Sequence, residues 1–340
     1  MGWYPAVARP LLFSLDPEAA HRLAIAALGL PLPWARIGGA APDPALEVDL
    51  CGIRLASPVG LAAGFDKACA RLGALGALGF GFVVGGTVTR RPRAGNARPR
   101  IARSPRSRSL TNAMGLPNPG AEAAAEVLAR TRRTAPRIVS LADERLEDAT
   151  AALALVEPHV DGIELNASCP NVAWGRDRDD EDHVRRLVAA FRERTAKPVL
   201  VKLPPFERAS EREGVIAVAG AAAAAGADGL VCSNTRRVAD PRLATGAGGL
   251  SGRALWPRTV AIVGDVRAEI GLPVVACGGI GSADDVLACL EAGATAVEVY
   301  TALLYRGPGL PGALARGLSE RLRARRATLA ELAGTAQPEP

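Results

Sequence analysis

The sequence predicts an α/β protein that consists of a (β/α)8 TIM barrel and a small N-terminal helical extension. Eight short apolar runs, each bounded by glycine, proline or polar residues, alternate with segments of helical length. Strands of an all-parallel sheet are buried on both faces, so continuous apolar runs are typical of them. The length of 340 residues suits a barrel of about 250 residues with an appendage.

The predicted strands are apolar runs of four or five residues: Val59–Ala63, Phe82–Gly86, Ile138–Ala142, Gly162–Asn166, Val199–Leu203, Gly229–Ser233, Val274–Cys277 and Ala296–Tyr300. The helical segments between them include Asp148–Val156, Asp182–Arg194, Val215–Ala225 and Ala283–Ala292. Gly79, Gly226 and Gly293 follow segments of this kind, where glycine favours the end of a helix. Eight such units in succession predict a closed barrel.

An open, doubly wound sheet is the competing α/β architecture. Such sheets usually have roughly five or six strands and a glycine-rich turn after the first strand. Here the first strand leads into Gly60-Leu61-Ala62-Ala63-Gly64, which does not have the GxGxxG spacing. The barrel is therefore the preferred prediction.

The N-terminal region lies outside the repeat and predicts two helices. Tyr4–Leu15 and Pro17–Leu30 carry apolar residues at helical spacing. Asp16 is suited to cap the second helix, and Pro17 is suited to its first turn. We therefore predict three parts: a helical extension (1–45), the barrel (46–325) and a C-terminal tail (326–340).

The cysteines and the apolar segments limit the class of protein. The six cysteines form no CxxC pair and have no histidine cluster near them, so we expect no metal site. Cys232 and Cys277 lie in apolar runs and are expected to be buried strand thiols. No secretory signal is recognisable, and no run of about 18 apolar residues would span a bilayer. We therefore expect a location in the reducing cytoplasm.

Arginine clusters raise the question of an anionic partner. They lie at Arg90–Arg108, Arg130–Arg137 and Arg321–Arg326, although the net charge is only +6. Such clusters contact nucleic acids or anionic membranes in some proteins, but a solvated basic surface is more common. No aromatic residues that would stack on bases are interleaved with them. We therefore do not expect nucleic-acid binding.

Polar residues follow the predicted strands in an unusual set of amides, hydroxyls, two lysines and one thiol. The set comprises Lys67, Thr87, Ser140, Asn166, Cys169, Asn171, Lys202, Ser233, Asn234 and Thr235. Each residue alone has a structural explanation, but barrel enzymes build their sites at these strand ends. Converging amides suit a flat ligand with alternating N–H and C=O groups, such as a pyrimidine or a flavin. Gly278-Gly279 is suited to bind a phosphate.

At these residues the sequence resembles the dihydroorotate dehydrogenases over about residues 4–320. The matching strings include Gly60–Lys67 (GLAAGFDK), Gly86–Thr89 (GTVT), Asn112–Gly115 (NAMG), Asn166–Asn171 (NASCPN), Ser233–Thr235 (SNT), Gly248–Arg253 (GGLSGR) and Gly278–Ile280 (GGI). The strings are long and keep their order, so the resemblance is specific. It implies oxidation of dihydroorotate to orotate in pyrimidine biosynthesis, with hydride transfer to FMN.

The resemblance also implies roles for individual residues. Cys169 is the implied catalytic base. The implied substrate ligands are Lys67, Asn112, Asn166, Asn171, Asn234 and Thr235. The implied FMN ligands are Ala63, Gly64, Lys67, Thr87, Ser140, Asn166, Lys202, Ser233, Gly252, Gly279, Tyr300 and Thr301.

The N-terminal string Leu15–His21 (LDPEAAH) is similar to the extension of the quinone-reducing class, which associates with membranes. There, two helices form an apolar tunnel to the flavin, and His21, Arg103 and Tyr300 match positions along it. The resemblance thus implies a quinone partner and peripheral association with the cytoplasmic face of the cell membrane. The alternative is that the two helices only cap the barrel.

Three departures from the quinone class keep the electron acceptor open. Cys169 replaces the usual serine base, Ser140–Asp143 replaces an asparagine-rich string, and Ala113 replaces an arginine. The first two are habits of the soluble class. The alternatives are a soluble acceptor (fumarate or a partner flavoprotein), another dihydropyrimidine substrate, or a phosphate-binding barrel without redox activity.

Overall fold

The computed structural model describes residues 4–166 and 180–334 of the chain. The strands of this part are β1 (Val48–Leu50), β2 (Ile53–Leu55), β3 (Val59–Leu61), β4 (Phe82–Val88), β5 (Ile101–Ser104), β6 (Ser109–Asn112), β7 (Arg137–Leu141), β8 (Gly162–Leu165), β9 (Val199–Leu203), β10 (Gly229–Cys232), β11 (Arg236–Ala239), β12 (Ala247–Gly252), β13 (Val274–Cys277) and β14 (Ala296–Val299).

The α-helices of the same part are α1 (Arg9–Ser14), α2 (Pro17–Ala27), α3 (Trp34–Gly38), α4 (Leu72–Ala77), α5 (Ala121–Arg130), α6 (Leu146–Val156), α7 (Asp180–Arg192), α8 (Ala209–Ala224), α9 (Trp256–Glu269), α10 (Ala283–Glu291), α11 (Thr301–Arg306), α12 (Leu310–Arg325) and α13 (Leu329–Gly334). A π-helix, Tyr4–Ala8, precedes α1.

Eight parallel strands close into a barrel in the order β3-β4-β7-β8-β9-β10-β13-β14. The last strand pairs in parallel with the first, through Val297 with Val59 and Val299 with Leu61, so the sheet has no free edge. The predicted TIM barrel is confirmed, and each of the eight predicted runs overlaps one of these strands. β3 ends two residues earlier than predicted, and Gly64, at φ +103°, follows in the turn that lines a cavity.

The predicted glycine caps at the helix ends are confirmed. Gly226 has φ +96°, and the next amide, of Ala227, donates to the carbonyl of Ala222 in α8. Gly293 has φ +98°, and Ala294 donates in the same way to Cys289 of α10. This conformation is open to glycine without steric cost, which is why these helices end there.

The interior of the barrel is apolar near the amino ends of the strands. Inward side chains such as Phe82, Leu200 and Val275 pack there against Leu50 and Leu55 of the β1–β2 hairpin. The hairpin, which the sequence analysis did not predict, thus closes this end of the barrel. The interior becomes polar towards the carboxyl ends, where the functional side chains lie.

The N-terminal helices form largely as predicted. The Asp16 carboxylate accepts from the amides of Glu18 (3.0 Å) and Ala19 (2.9 Å), so it caps α2, and Pro17 is in the first turn. The short helix α3 follows the two predicted helices and was not itself predicted. No helix in the described part of the chain has the length and apolar character that crossing a bilayer requires.

A four-stranded antiparallel sheet, in the order β11-β12-β6-β5, covers one side of the barrel mouth. This sheet was not predicted from the sequence. β12 pairs with β6 across more than 130 residues of sequence, for example Gly249 with Asn112. Such a sheet leaves no local signal, because its strands find partners only in the folded chain.

Candidate active site at the carboxyl ends of the barrel strands

A cavity of about 480 Å³ opens at the carboxyl ends of the barrel strands and extends under α1 and α2. Its volume lies within the range of ligand and cofactor sites. The predicted site residues on its wall are His21, Ala63, Gly64, Lys67, Thr87, Arg103, Asn112, Asn166, Lys202, Ser233, Asn234, Thr235, Gly252, Gly279, Tyr300 and Thr301. Cys169 and Asn171 lie outside the described residues.

The amides at the strand ends form one hydrogen-bonded network. Asn166 donates from Nδ2 to Thr87 Oγ1 at 3.0 Å, and its Oδ1 accepts from Asn234 Nδ2 at 3.1 Å. Asn112 donates more weakly to the Gly249 carbonyl, at 3.4 Å. The bonds orient each amide, so that the network presents a preformed pattern of donors and acceptors.

Ser140 is the one described member of the predicted set that does not line the cavity. It is fully buried in the barrel interior, and its hydroxyl is 3.0 Å from that of Thr87. It therefore supports a wall residue instead of forming the wall. β7 pairs Ser140 with Glu164, so this serine belongs to the polar interior layer beneath the cavity.

Two departures from the family pattern have clear structural settings. Ala113 is buried in a small apolar cluster with Ala102 and Leu243 beside the antiparallel sheet. Asp143, after β7, accepts from the backbone amide of Arg90 at 2.8 Å. Burial raises the pKa of this carboxyl to about 6 despite that bond. Neither residue lies on the cavity wall.

Lys67 lies at the junction of the barrel and the extension. Its Nζ donates to the Gly64 carbonyl, which holds the ammonium at the cavity wall. Burial and the nearby Arg100 lower the pKa of Lys67 to about 8. Because it is cationic below that pH, it is suited to bind a carboxylate.

A buried charge cluster, missed by the sequence analysis, surrounds Lys202. Its Nζ donates to Glu164 Oε2 at 3.0 Å and to Glu298 Oε2 at 3.1 Å. Burial would lower the pKa of Lys202, but attraction by the two carboxylates outweighs it and raises this pKa well above its usual value. The detectable signal was a carboxylate inside each of two apolar strands, GIEL and AVEV.

Cys277 belongs to the same cluster and corrects one expectation. It is only partly buried and lines the cavity, although its neighbour Cys232 on the adjacent strand is fully buried, as expected. Burial raises the pKa of the Cys277 thiol to about 12, and the nearby carboxylates of Glu298 and Glu164 act in the same direction. The inward position of Cys277 on β13 follows from strand alternation, because Val275 also points inward.

Backbone at the far end of the cavity is shaped for a small anion. Gly279 has φ +69°, and a Cβ there would be 2.5 Å from the Trp256 nitrogen. Arg253, which the predicted set omitted, points to this side and bonds to Asp285 at 2.7 Å. Thr301, at the start of α11, shares a 3.0 Å hydrogen bond with Ser251. A phosphate fits this cradle of backbone amides, hydroxyls and a guanidinium.

Aromatic residues connect the opposite end of the cavity to the extension. The rings of His21 and Phe65 meet edge to face at 5.2 Å, and those of Phe65 and Tyr300 at 5.9 Å. Burial and the nearby Lys67 lower the pKa of His21 to about 4, so this ring is neutral at physiological pH. Phe65, the middle ring, is not among the site residues predicted from the sequence.

Arg103, at the same end of the cavity, contacts α1 and the residue that follows it. Its guanidinium lies 4.7 Å from the centroid of the Phe13 ring and donates to the carbonyls of Leu12 (3.2 Å) and Leu15 (3.0 Å). It thereby satisfies carbonyls at the end of α1. Arg103 both borders the cavity and ties α1 to the antiparallel sheet.

These features fit a flat heterocycle that carries a phosphate better than a simple phosphate ligand. The amide network and the Lys202 ammonium offer donors and acceptors to a flat heterocycle, and the Gly279 region accommodates a phosphate. Two oxygens, Glu164 Oε1 and Glu298 Oε1, are buried without a hydrogen-bond partner among the described residues. Such orphaned polar atoms are typical of sites that bind a polar group.

Comparisons with known proteins agree on one family. The model of the family described as dihydroorotate dehydrogenase matches residues 45–322. Proteins named dihydroorotate dehydrogenase (quinone) are similar throughout: one from Leifsonia xyli is 41% identical over 91% of this chain and 97% of its own length. One from Deinococcus deserti is 42% identical, with 94% and 95% covered.

Solved structures lead to the same group. The Eimeria tenella DHODH bound to ferulenol superposes with a TM-score of 0.82 and 28% identity, covering 94% of this chain and 95% of that one. Its ligand-free form superposes equally well, at 27% identity and with all of that chain covered. Barrel, extension and site strings thus agree with the sequence matches, and the chain belongs to the dihydroorotate dehydrogenase family.

Proposed function

We propose that this chain oxidises dihydroorotate to orotate with FMN and passes the electrons to a quinone. The observation that carries the proposal is a single cavity with two chemically different ends. The barrel end offers amides and lysines, whereas the end beneath α1 and α2 is bordered by apolar groups such as Leu12, Phe13 and Ala20. A polar substrate and an apolar acceptor would thus approach the same cofactor from different sides.

In this proposal the substrate binds among the amides. Asn166 and Asn234 are already oriented by their mutual hydrogen bond, and they would pair with the pyrimidine ring together with Asn112, Asn171 and Thr235. Lys67 would neutralise the substrate carboxylate. Binding to oriented groups costs little reorganisation, so the ring would be held in one pose.

FMN, when bound, supplies the hydride acceptor. Its phosphate would be held by Gly252, Gly279, Tyr300 and Thr301. Thr87, Ser233 and Lys202, together with Ala63 and Gly64, would border the ring, with Lys202 near its anionic edge.

Cys169 is the proposed base, following Asn166 by three positions in sequence. Its thiolate would take the C5 proton of dihydroorotate while the C6 hydrogen leaves as hydride. A cysteine is a few per cent thiolate at pH 7, so this step needs no other base. His21, Arg103 and Tyr300 would border the quinone.

Membrane association by the extension, residues 1–45, is a further part of the proposal. The exposed large apolar side chains of the described residues all lie in the extension: Val7, Leu11, Leu15, Leu23, Leu30 and Leu32. Their concentration in one segment supports an interaction site there, because exposed apolar surface that is gathered in one region marks such sites. The extension would lie on the cytoplasmic face of the cell membrane and admit quinone from the bilayer.

Three measurements test the proposal. The purified protein should be yellow, and dihydroorotate should bleach the flavin spectrum without oxygen. Menaquinone or ubiquinone should then restore the colour faster than fumarate does. Restoration by fumarate alone would favour the soluble-acceptor alternative, and a colourless protein that binds only phosphate would contradict the redox function. Leu11→Glu should reduce sedimentation with anionic vesicles while leaving the bleaching step intact.

A further inference from the structure

Glu164, Lys202 and Glu298, here called the floor triad, lie at the base of the cavity, which Lys202 and Glu298 border directly. Strand alternation points all three into the barrel, from β8, β9 and β14. The Lys202 ammonium bridges the two carboxylates at 3.0 and 3.1 Å. Both glutamate side chains are completely buried, and the lysine side chain is 6% exposed.

The charges of the floor triad do not balance by themselves. Two ionised carboxylates and one ammonium leave a net charge of −1, which is costly in a buried site. Each carboxylate uses Oε2 for Lys202, whereas its Oε1 has no partner among the described residues. Burial and the proximity of Glu164 raise the pKa of Glu298 to about 7, despite the opposing effect of Lys202. The negative charge beneath the cavity can therefore change through protonation of Glu298.

Stability alone is a poor explanation for this arrangement. Buried ion pairs are often no more stabilising than apolar residues of similar volume. One layer deeper, the same barrel is filled by apolar side chains such as Leu200, Val275 and Ala296. The charges begin where the cavity begins, since Lys202, Cys277 and Glu298 all border it.

We propose that Glu164 and Glu298 are positioning residues that hold the Lys202 ammonium near the anionic edge of the flavin ring and offset its charge, and so set the flavin reduction potential. This inference rests on the proposed function. The two hydrogen bonds to carboxylates on different strands fix the position of the Lys202 ammonium. The two carboxylates offset the positive charge of Lys202 near the reduced flavin, so the reduction potential is lower than Lys202 alone would produce.

The test compares Glu298→Gln, Glu164→Gln, Lys202→Met and the double variant Glu298→Gln/Lys202→Met. The readouts are the midpoint potential of the bound flavin, the affinity of apo-protein for oxidised FMN, and urea unfolding of apo-protein. Glutamine keeps the size of glutamate and removes its charge. Glu47→Gln, in a surface pair with Arg54, is the matched control.

Each glutamine variant should favour reduced over oxidised flavin by about tenfold, a shift of about +30 mV for a two-electron couple. Lys202→Met should shift the potential in the opposite direction. The double variant should have nearly the same potential as Lys202→Met alone. Without the ammonium, burial keeps Glu298 protonated and therefore neutral. Replacing this neutral side chain by glutamine then changes little. Glu47→Gln should change neither potential nor affinity.

Potentials equal to wild type in both glutamine variants, with only urea unfolding changed, would overturn the inference and leave the floor triad a structural element. Fully additive shifts in the double variant would also overturn it, because the glutamates would then not act through Lys202. The two glutamine variants each remove one negative charge, from different strands. A measured potential for either variant that retains flavin is therefore sufficient to test the inference. A wild-type protein without flavin would instead contradict the proposed function.

Discussion

Arg100 donates hydrogen bonds to both carboxylate oxygens of Glu18, with Nε–Oε1 and Nη2–Oε2 distances of 3.0 and 3.1 Å. The pair joins α2 of the extension to the segment just before β5, 82 residues away in sequence. The side chains are only 8% and 11% exposed. Arg100 also donates to the carbonyls of Ala94 and Asn96, so one guanidinium connects the extension to the segment that precedes β5.

Breaking this pair should loosen the extension. Glu18→Gln leaves the Arg100 charge buried without its bidentate partner, which typically costs about 3–5 kcal/mol. Urea unfolding measures the cost, and proteolysis after Arg22 reports release of α2. Glu47→Gln, which breaks the exposed pair with Arg54, should cost less than about 1 kcal/mol. Equal losses in the two variants would contradict the coupling role of Glu18.

His21 should make the stability of the protein depend on acid pH. Its folded pKa of about 4 lies below the usual value of 6.5, so between these values the unfolded chain binds more protons. The free energy of unfolding should therefore fall as pH decreases from 6.5 to 4, by at most about 1.4 kcal/mol per pH unit from this residue. His21→Phe keeps the ring contact with Phe65 and should flatten this slope. A variant curve parallel to wild type would exclude His21 as the cause.

Asn166 should matter more for ligand binding than Ser140, although both connect to Thr87. Asn166→Ala removes a wall amide and leaves Asn234 without its acceptor, so orotate binding should weaken about tenfold to a hundredfold. Ser140→Ala removes a hydroxyl behind the wall and should weaken binding less than about fivefold. Titration of the flavin absorbance with orotate measures both. Similar losses would mean that Ser140 contributes to the site as strongly as the amide.

Cys169 should give the reaction its pH dependence. With a free thiol pKa of about 8.5, flavin reduction by dihydroorotate should accelerate as pH rises through the thiol pKa. Cys169→Ser should retain some turnover with its optimum at higher pH, and Cys169→Ala should lose most of it. Stopped-flow reduction isolates this step from quinone turnover. A rate that is flat from pH 6 to 9 would argue against the thiol as base.

Local patterns were sufficient to predict much of the fold. A buried parallel strand needs a continuous apolar run, a helix ends favourably at Gly226 or Gly293, and Asp16 offers its carboxylate to the amides that begin α2. Each of these preferences depends on neighbours within a few residues, so it can be recognised from the sequence alone. The strand ends also predicted several polar residues of the cavity wall, because parallel strands bring their carboxyl ends to one face.

Only the closed tertiary structure decided the rest. The pairing of Gly249 with Asn112, the Glu18–Arg100 clamp and the floor triad each join residues far apart in sequence. Their partners come together only after the barrel closes and the extension docks. A carboxylate such as Glu298 looks like an interruption of an apolar strand until closure brings Lys202 to within 3.1 Å of it. Sequence alone therefore determined the barrel, its family and the polar residues at the strand ends, whereas long-range packing decided which charged side chains meet.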